Sequence, residues 1–458
     1  MANPRDLTHD FTVGSVPRQL LRFASPLFLS SLLQVAYNMV DMIIVGRVTG
    51  KVGLSAVSVG GDVSNFLLFL SMGFSNAGQV ILSQLMGAGQ HDKLSRFART
   101  MCTFLFSCAL ALSVVCFCLR APILRLMNTP AESYDQTMAY ATVSIVGLVF
   151  VYGYNMVSAI LRGLGDSRHP FIFISIASVL NVLLDLLFVV GFRTGAMGAA
   201  LATVISQSIS FICCAVFLYR NQARLGLEFR LRGFFLWDRE LLGSLIKLGV
   251  PMAIKSAAIH VSKLFVNSWI NSFGVAVSAM AGIANKVNSI SNLFSNAVNT
   301  AGSSMVGQNI GAKKYERVPQ VMLTAFGVCL TIAVVISGVI VLFPRAVFGI
   351  FTDEADVMAI AMEYVPIAVL IFFGSAFRAC MNALINGSGN YRVNFATAIF
   401  DGIVMRIGLS VLFGLVLDMG YMGFWLGDAV AGFTPFVIGG VYYFSGKWKT
   451  RKFVVKEE

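Results

Sequence analysis

The chain has 458 residues, of which 57% are hydrophobic and only 12% charged, with a formal net charge of +12. Soluble domains carry roughly 25% charged residues, so this composition excludes a soluble fold and places the chain in lipid. The excess of Lys and Arg then reads as loop charge facing the cytoplasm, not as a nucleic-acid surface.

A span needs about 20 apolar residues, and twelve such helices are predicted. They cover 18–45, 54–84, 97–119, 137–161, 170–192, 196–219, 243–271, 276–305, 319–343, 358–385, 393–417 and 421–444. The fold class is therefore an all-α membrane protein with almost nothing left over for a soluble domain. The first helix is too long, and too polar at Gln34, Asn38 and Asp41, for a cleavable signal.

On helix 1, Gln34, Tyr37, Asn38 and Asp41 recur at spacings of three and four and share one face. Helix 2 offers Asn65, Asn76 and Gln79, and helix 4 carries Tyr140 and Asn155. Ser178, Asn181 and Asp185 share a face of helix 5, and helix 6 carries Thr203. A carboxylate at membrane depth is costly and marks an ion or proton pathway. If these faces converge, they form an oxygen-rich pocket with two carboxylates. Two close carboxylates cannot both ionise cheaply. Such a pair holds a proton or, equally, Na⁺. The bland alternative is helix glue, with Asp41 and Asp185 merely hydrogen-bonded between helices.

The basic stretch 221–240 is the natural linker, dividing a six-helix lobe over 1–220 from another over 241–458. The second lobe differs in sign. Lys255, His260 and Lys263 lie in helix 7, Lys286 in helix 8, Arg378 in helix 10 and Arg406 in helix 11, with Asp401 and Asp428 as expected partners. Helix 8 also carries Asn285, Asn288, Asn292, Asn296, Asn299 and Ser303 along one broad face. That much amide surface is costly against lipid. It either lines a wet cavity between the lobes or is consumed in hydrogen bonds between helices. Gln34, Tyr37, Asn38, Asn65, Asn285, Asn288, Asn292 and Arg378 are the candidate substrate-cavity residues.

The chain repeats itself at an offset of about 224 residues. Pro26 pairs with Pro251, Gln84…Gly87 with Gln308…Gly311, Tyr140 with Tyr364, Gly163-x-Gly165 with Gly387-x-Gly389, and Gly198 with Gly423. Six helices per repeat return the chain to its starting side. The two lobes are therefore expected to share an orientation, related by an axis along the membrane normal. Alternate loops hold Arg5 and Arg18; Lys93, Arg96 and Arg99; Arg162 and Arg168; Arg220, Arg224, Arg230, Arg232 and Arg239; Lys313, Lys314 and Arg317; Arg392; and Lys447, Lys449, Arg451, Lys452 and Lys456. That bias puts both termini in the cytoplasm.

The eight cysteines lack metal-ligand spacing, and no cofactor is expected. The Gly-x-Gly turns lack the preceding strand of a dinucleotide fold and read as helix endings. With four histidines and no His-Glu-x-x-His motif, an intramembrane enzyme is disfavoured. Repeated halves suit a carrier better than a channel.

Two six-helix repeats with Pro26…Asp41…Gly46, the Gln84…Gly87 and Gln308…Gly311 helix ends and the Arg162-Gly-x-Gly165-Asp turn resemble the multidrug and toxic compound extrusion (MATE) family. Tyr140, Asn155, Asn181, Asp185 and Thr203 around Asp41 are similar to the cation-site pattern of its DinF-like branch. The resemblance implies a plasma-membrane antiporter that exports organic, often cationic compounds against H⁺ or Na⁺ by alternating access. Asp41 would be the principal coupling carboxylate. Asp185, Asn181 and Thr203 would complete the site, as metal ligands if Na⁺ is the ion, with Tyr140 and Asn155 lining or gating it. Helix 1 would bend near Pro26. The acidic residues that the NorM-like branch places in helices 7 and 10 are missing here. The basic lobe also keeps open a flippase of the same superfamily for lipid-linked, anionic or zwitterionic cargo. The implied partners are a small-molecule substrate and membrane lipid, with no nucleic acid. Oligomeric state is not legible.

Overall fold

The computed structural model describes residues 7–127, 129–228 and 238–450. Arg5, Arg230, Arg232, Arg451, Lys452 and Lys456, and residues 229–237 of the linker, lie outside the described residues.

Helices α1 (16–49) and α2 (51–87) run on from one another, parted only by Gly50. Its φ of 63° is a left-handed conformation that glycine adopts without steric cost. There follow α3 (His91–Leu126), α4 (Tyr134–Gly163), α5 (Arg168–Gly191), α6 (Ala196–Arg220), α7 (Arg239–Asn271) and α8 (Val275–Gly311). The last four are α9 (Val318–Leu342), α10 (Ala355–Gly387), α11 (Tyr391–Val416) and α12 (Gly420–Phe444). These are the twelve expected spans. By length and apolarity alone ten helices among the described residues qualify, because α1 and α2 run together and asparagine-rich α8 is not among them.

The helices divide into two compact units. One comprises the described residues up to Asp10 together with Ser25–Gly249; the other comprises Phe11–Ala24 and the described residues from Val250 onward. Both divisions fall just before a proline, Pro26 in α1 and Pro251 in α7. The assignment of 11–24 to the second unit differs from a lobe boundary drawn through the linker, and local bonds explain it. The Phe11 N–H donates to Gln308 Oε1 at 2.9 Å, Arg317 donates to the Gly14 carbonyl at 3.0 Å, and Lys314 donates to the Thr12 carbonyl at 2.9 Å.

Lipid is as apolar as leucine, so close packing rather than exclusion of water holds these helices together. In the first unit one cluster joins Val63 and Leu67 of α2, Ala109 and Cys116 of α3, and Leu148 and Tyr152 of α4. A second joins Val45, Val57, Val189 and Ala199, and thus α1, α2, α5 and α6, with Tyr140 of α4 packed against it. Gly147 lets α4 and α6 approach: a Cβ there would sit 2.2 Å from Val204. The second unit centres on Val266, Ile270, Met280, Tyr364, Phe372 and Trp425.

The repeat is visible in the backbone. Residues with positive φ, Arg193 and Gly195, follow α5, and Asp418 and Gly420 do the same after α11. Both helices end in a π-helical turn, Leu186–Gly191 in α5 and Leu412–Val416 in α11.

Candidate functional site

Four helices of the first unit bring polar side chains together: Tyr37 and Asp41 from α1, Tyr140 from α4, Asn181 and Asp185 from α5, and Thr203 and Gln207 from α6. Asp185 is the last α-helical residue before the π-turn, a distortion frequent at functional sites. Thr203 Oγ1 donates to Asp41 Oδ2 at 3.5 Å, and Asn181 Nδ2 donates to Thr203 Oγ1 at 3.3 Å. Gln207 Nε2 donates to the Tyr37 hydroxyl at 3.5 Å. The Asp41 and Asp185 carboxyl groups are within electrostatic range of each other. The Tyr140 hydroxyl is within electrostatic range of both carboxylates.

Burial is severe. Asp41 is 6% exposed, Asn181 1% and Asp185 0%. Yet Asp41 Oδ1, both Asp185 oxygens, Asn181 Oδ1 and Gln207 Oε1 have no hydrogen-bond donor. Buried polar atoms in folded proteins are nearly always paired. The gathered groups supply acceptors in excess of donors and carry two carboxylates. What would satisfy them is a proton or a bare cation with oxygen ligands.

The structure thus brings Asp41, Asp185, Asn181, Thr203 and Tyr140 near one another. Asn155 is half-buried four turns further along α4, about 22 Å from Tyr140 at the helical rise, and it makes no bond to this group. Gln34 is half-buried, and Asn38 and Asn65 are exposed. Gln207 was not singled out by sequence. Its signal is the spacing of four from Thr203, which puts both on one face of α6.

In the second unit the amide stripe splits. Asn288 donates to the Tyr364 hydroxyl at 3.2 Å, and Asn299 accepts from Asn386 at 3.4 Å. Asn285 and Asn296 are exposed and Asn292 is half-buried. The stripe is therefore partly interhelical bonding and partly open surface. Arg406 pairs with Asp401 at 3.2 Å and with Asp428. Lys255 Nζ donates to Asn382 Oδ1 at 2.7 Å, and Arg378 Nε donates to the Gly432 carbonyl at 3.4 Å.

A family model described as MatE matches residues 26–187 and again residues 251–412. The chain is 28% identical over 444 residues to the probable multidrug resistance protein YpnP of Bacillus subtilis (strain 168), covering 97% of this chain and 98% of that one. It is 27% identical to multidrug and toxin extrusion protein 1 of Xenopus tropicalis, over 94% of this chain and 75% of that one. Among solved structures, a MOP superfamily transporter from Pyrococcus furiosus, described as having a binding pocket of reverse polarity, superposes with a TM-score of 0.88. The identity is 21%, over 97% of this chain and 98% of that one. MATE in complex with MaD3S gives a TM-score of 0.88 at 21% identity, over 96% and 99%.

Proposed function

The chain belongs to the MatE family of multidrug and toxic compound extrusion transporters, and on that premise we propose that it is a plasma-membrane antiporter exporting small organic compounds against H⁺ or Na⁺. The observation that carries the coupling is the set of buried, donor-less oxygens on Asp41, Asp185, Asn181 and Gln207. Asp41 is the principal coupling carboxylate. Asp185, Asn181 and Thr203 complete the site, and Tyr140 closes it on the α4 side. Asn155 lines the path, away from the ion.

The cycle follows from charge. With the ion bound, the acceptors are satisfied and α1, α5 and α6 are held together. With the ion released, two carboxylates face each other in a medium of low dielectric and repel, favouring an arrangement that parts them. Exchange of ion for substrate then drives alternating access. Pro26 is the point at which α1 yields, because proline removes a helix hydrogen bond and the first unit resumes beside it. Both termini face the cytoplasm, as the charged loops require.

The test is efflux of a fluorescent organic cation from proteoliposomes under a pH gradient or a Na⁺ gradient, for wild type, Asp41→Asn and Asp185→Asn. Transport should follow one gradient in the wild type and be lost in both variants. Coupled transport that persists in Asp41→Asn overturns the assignment.

A further inference from the structure

The second unit buries more positive charge than it neutralises. Arg406, 1% exposed, lies between Asp401 and Asp428 and engages both carboxylates. Three more cations are within electrostatic range of these carboxylates: Lys263 on α7 and Arg378 on α10 of both, and Lys255 on α7 of Asp401. Lys255 is held by a neutral amide and Arg378 by a backbone carbonyl. Lys263 makes no hydrogen bond or ion pair with any described residue. All three are half-buried. Four cations therefore share two carboxylates. A cation at membrane depth is costly, and its retention there points to function.

The two family matches, 26–187 and 251–412, are equal in length and start 225 positions apart. The same register carries Asn181 onto Arg406 and, with Gly198 on Gly423, Thr203 onto Asp428. Where the first unit joins two neutral side chains at 3.3 Å, the second therefore holds an ion pair. Asp41 and Asp185 fall on Val266 and Ser410, and Asn38 falls on Lys263. The guanidinium of Arg406 is a tethered cation standing where the first unit leaves acceptors open. Among the described residues, no carboxylate besides Asp401 and Asp428 is within electrostatic range of Lys255, Lys263 or Arg378.

We infer that Lys255, Lys263 and Arg378 form an anion-recognition strip that takes a carboxylate or phosphate group, so that the compounds exported include amphipathic organic anions and zwitterions. The lysines are two helical turns apart, about 12 Å along α7, and Arg378 is within range of both. Arg406, locked by its two partners, stays out of the exchange. That the bound compound is also exported rests on the function proposed above; the strip itself does not.

The test uses the purified full chain in non-ionic detergent. Two probes, dansyl-aminooctanoic acid and its methyl ester, differ only in the carboxylate. Charge-assisted hydrogen bonds to a desolvated carboxylate should favour the acid by about tenfold or more. Lys263→Met with Arg378→Gln should bring the acid down to the affinity of the ester. Lys263→Arg should keep the preference, and unchanged ester affinity in the double variant shows that its fold is intact. Added phosphatidylglycerol that displaces the acid from wild type supports the strip and makes a lipid headgroup its anion. Equal affinity of acid and ester, or a preference that survives the double variant, overturns the inference. If the acid is preferred but no gradient drives export of any probe, the strip stands and the antiporter reading falls. If gradients drive cation export while acid and ester bind alike, the reverse holds.

Discussion

Replacing Asp185 by asparagine should stabilise the ion-free protein while abolishing its response to the coupling ion. Asp185 is fully buried, neither of its oxygens meets a donor, and its nearest charged neighbour is the like-charged Asp41. Two carboxylates about 4 Å apart at an effective dielectric near 20 repel by about 4 kcal/mol. The substitution keeps the side-chain shape and removes that repulsion. It also supplies an amide that can donate to Asp41 Oδ1, and a hydrogen bond to a charged acceptor contributes about 1.5–3 kcal/mol. Each kcal/mol moves Tm by roughly 2 °C in a large domain, so at pH 8 without Na⁺ the variant should melt roughly 11–14 °C above wild type. The assay is thermal unfolding of detergent-solubilised protein followed by intrinsic fluorescence, across Na⁺ concentration and pH. Wild type should be stabilised by Na⁺ at fixed pH or by lowering the pH; the variant should respond to neither. A variant that melts below wild type in the ion-free state, or keeps the wild-type ion response, would falsify the placement of these two carboxylates in one ion site.

Three further outcomes are expected. Gly60→Ala places a Cβ 2.3 Å from the Tyr140 ring, so it should displace that ring and reduce coupled transport severalfold while the protein still folds, which a transport assay alongside gel filtration would show. Gly387→Ala brings a Cβ to 2.7 Å from the Ser303 carbonyl, forcing α10 from α8; overpacking of this kind costs about 1–3 kcal/mol and should appear as a lower Tm. Asp238 caps α7 through the Glu240 and Leu241 N–H groups at 3.0 and 3.2 Å and pairs with Arg96 at 2.5 Å. Its partial burial works the other way, but the Leu241 N–H and Arg96 hold its carboxyl below the usual carboxylate range. Its stabilisation is therefore complete above the ordinary Asp value and is lost as pH falls through the lowered one. Asp238→Ala should cost about 1 kcal/mol near pH 7, and its Tm deficit should close in acid.

The sequence by itself determined the membrane setting, the twelve spans and the repeat, because each is written in local composition and order. A run of about 20 apolar residues spans lipid wherever it occurs, and prolines and glycines punctuate both halves in the same order. It also singled out Asp41 and Asp185, since a buried charge is conspicuous in an apolar helix. Tertiary structure decided which polar residues meet. Spacing on one helix says which face a side chain shares, but not which face of another helix it will find. Hence Gln207 joins the group through Tyr37 while Asn155, on the same helix as Tyr140, lies about four turns away. Residues 11–24 pack with the second unit because Gln308, Lys314 and Arg317 bond their backbone, contacts 297 to 303 positions apart that no local pattern announces. The balance of charge in the second unit was likewise settled only in three dimensions. The sequence named its cations and its two aspartates, but the pairing of Arg406 with both carboxylates is what leaves the other cations short of partners.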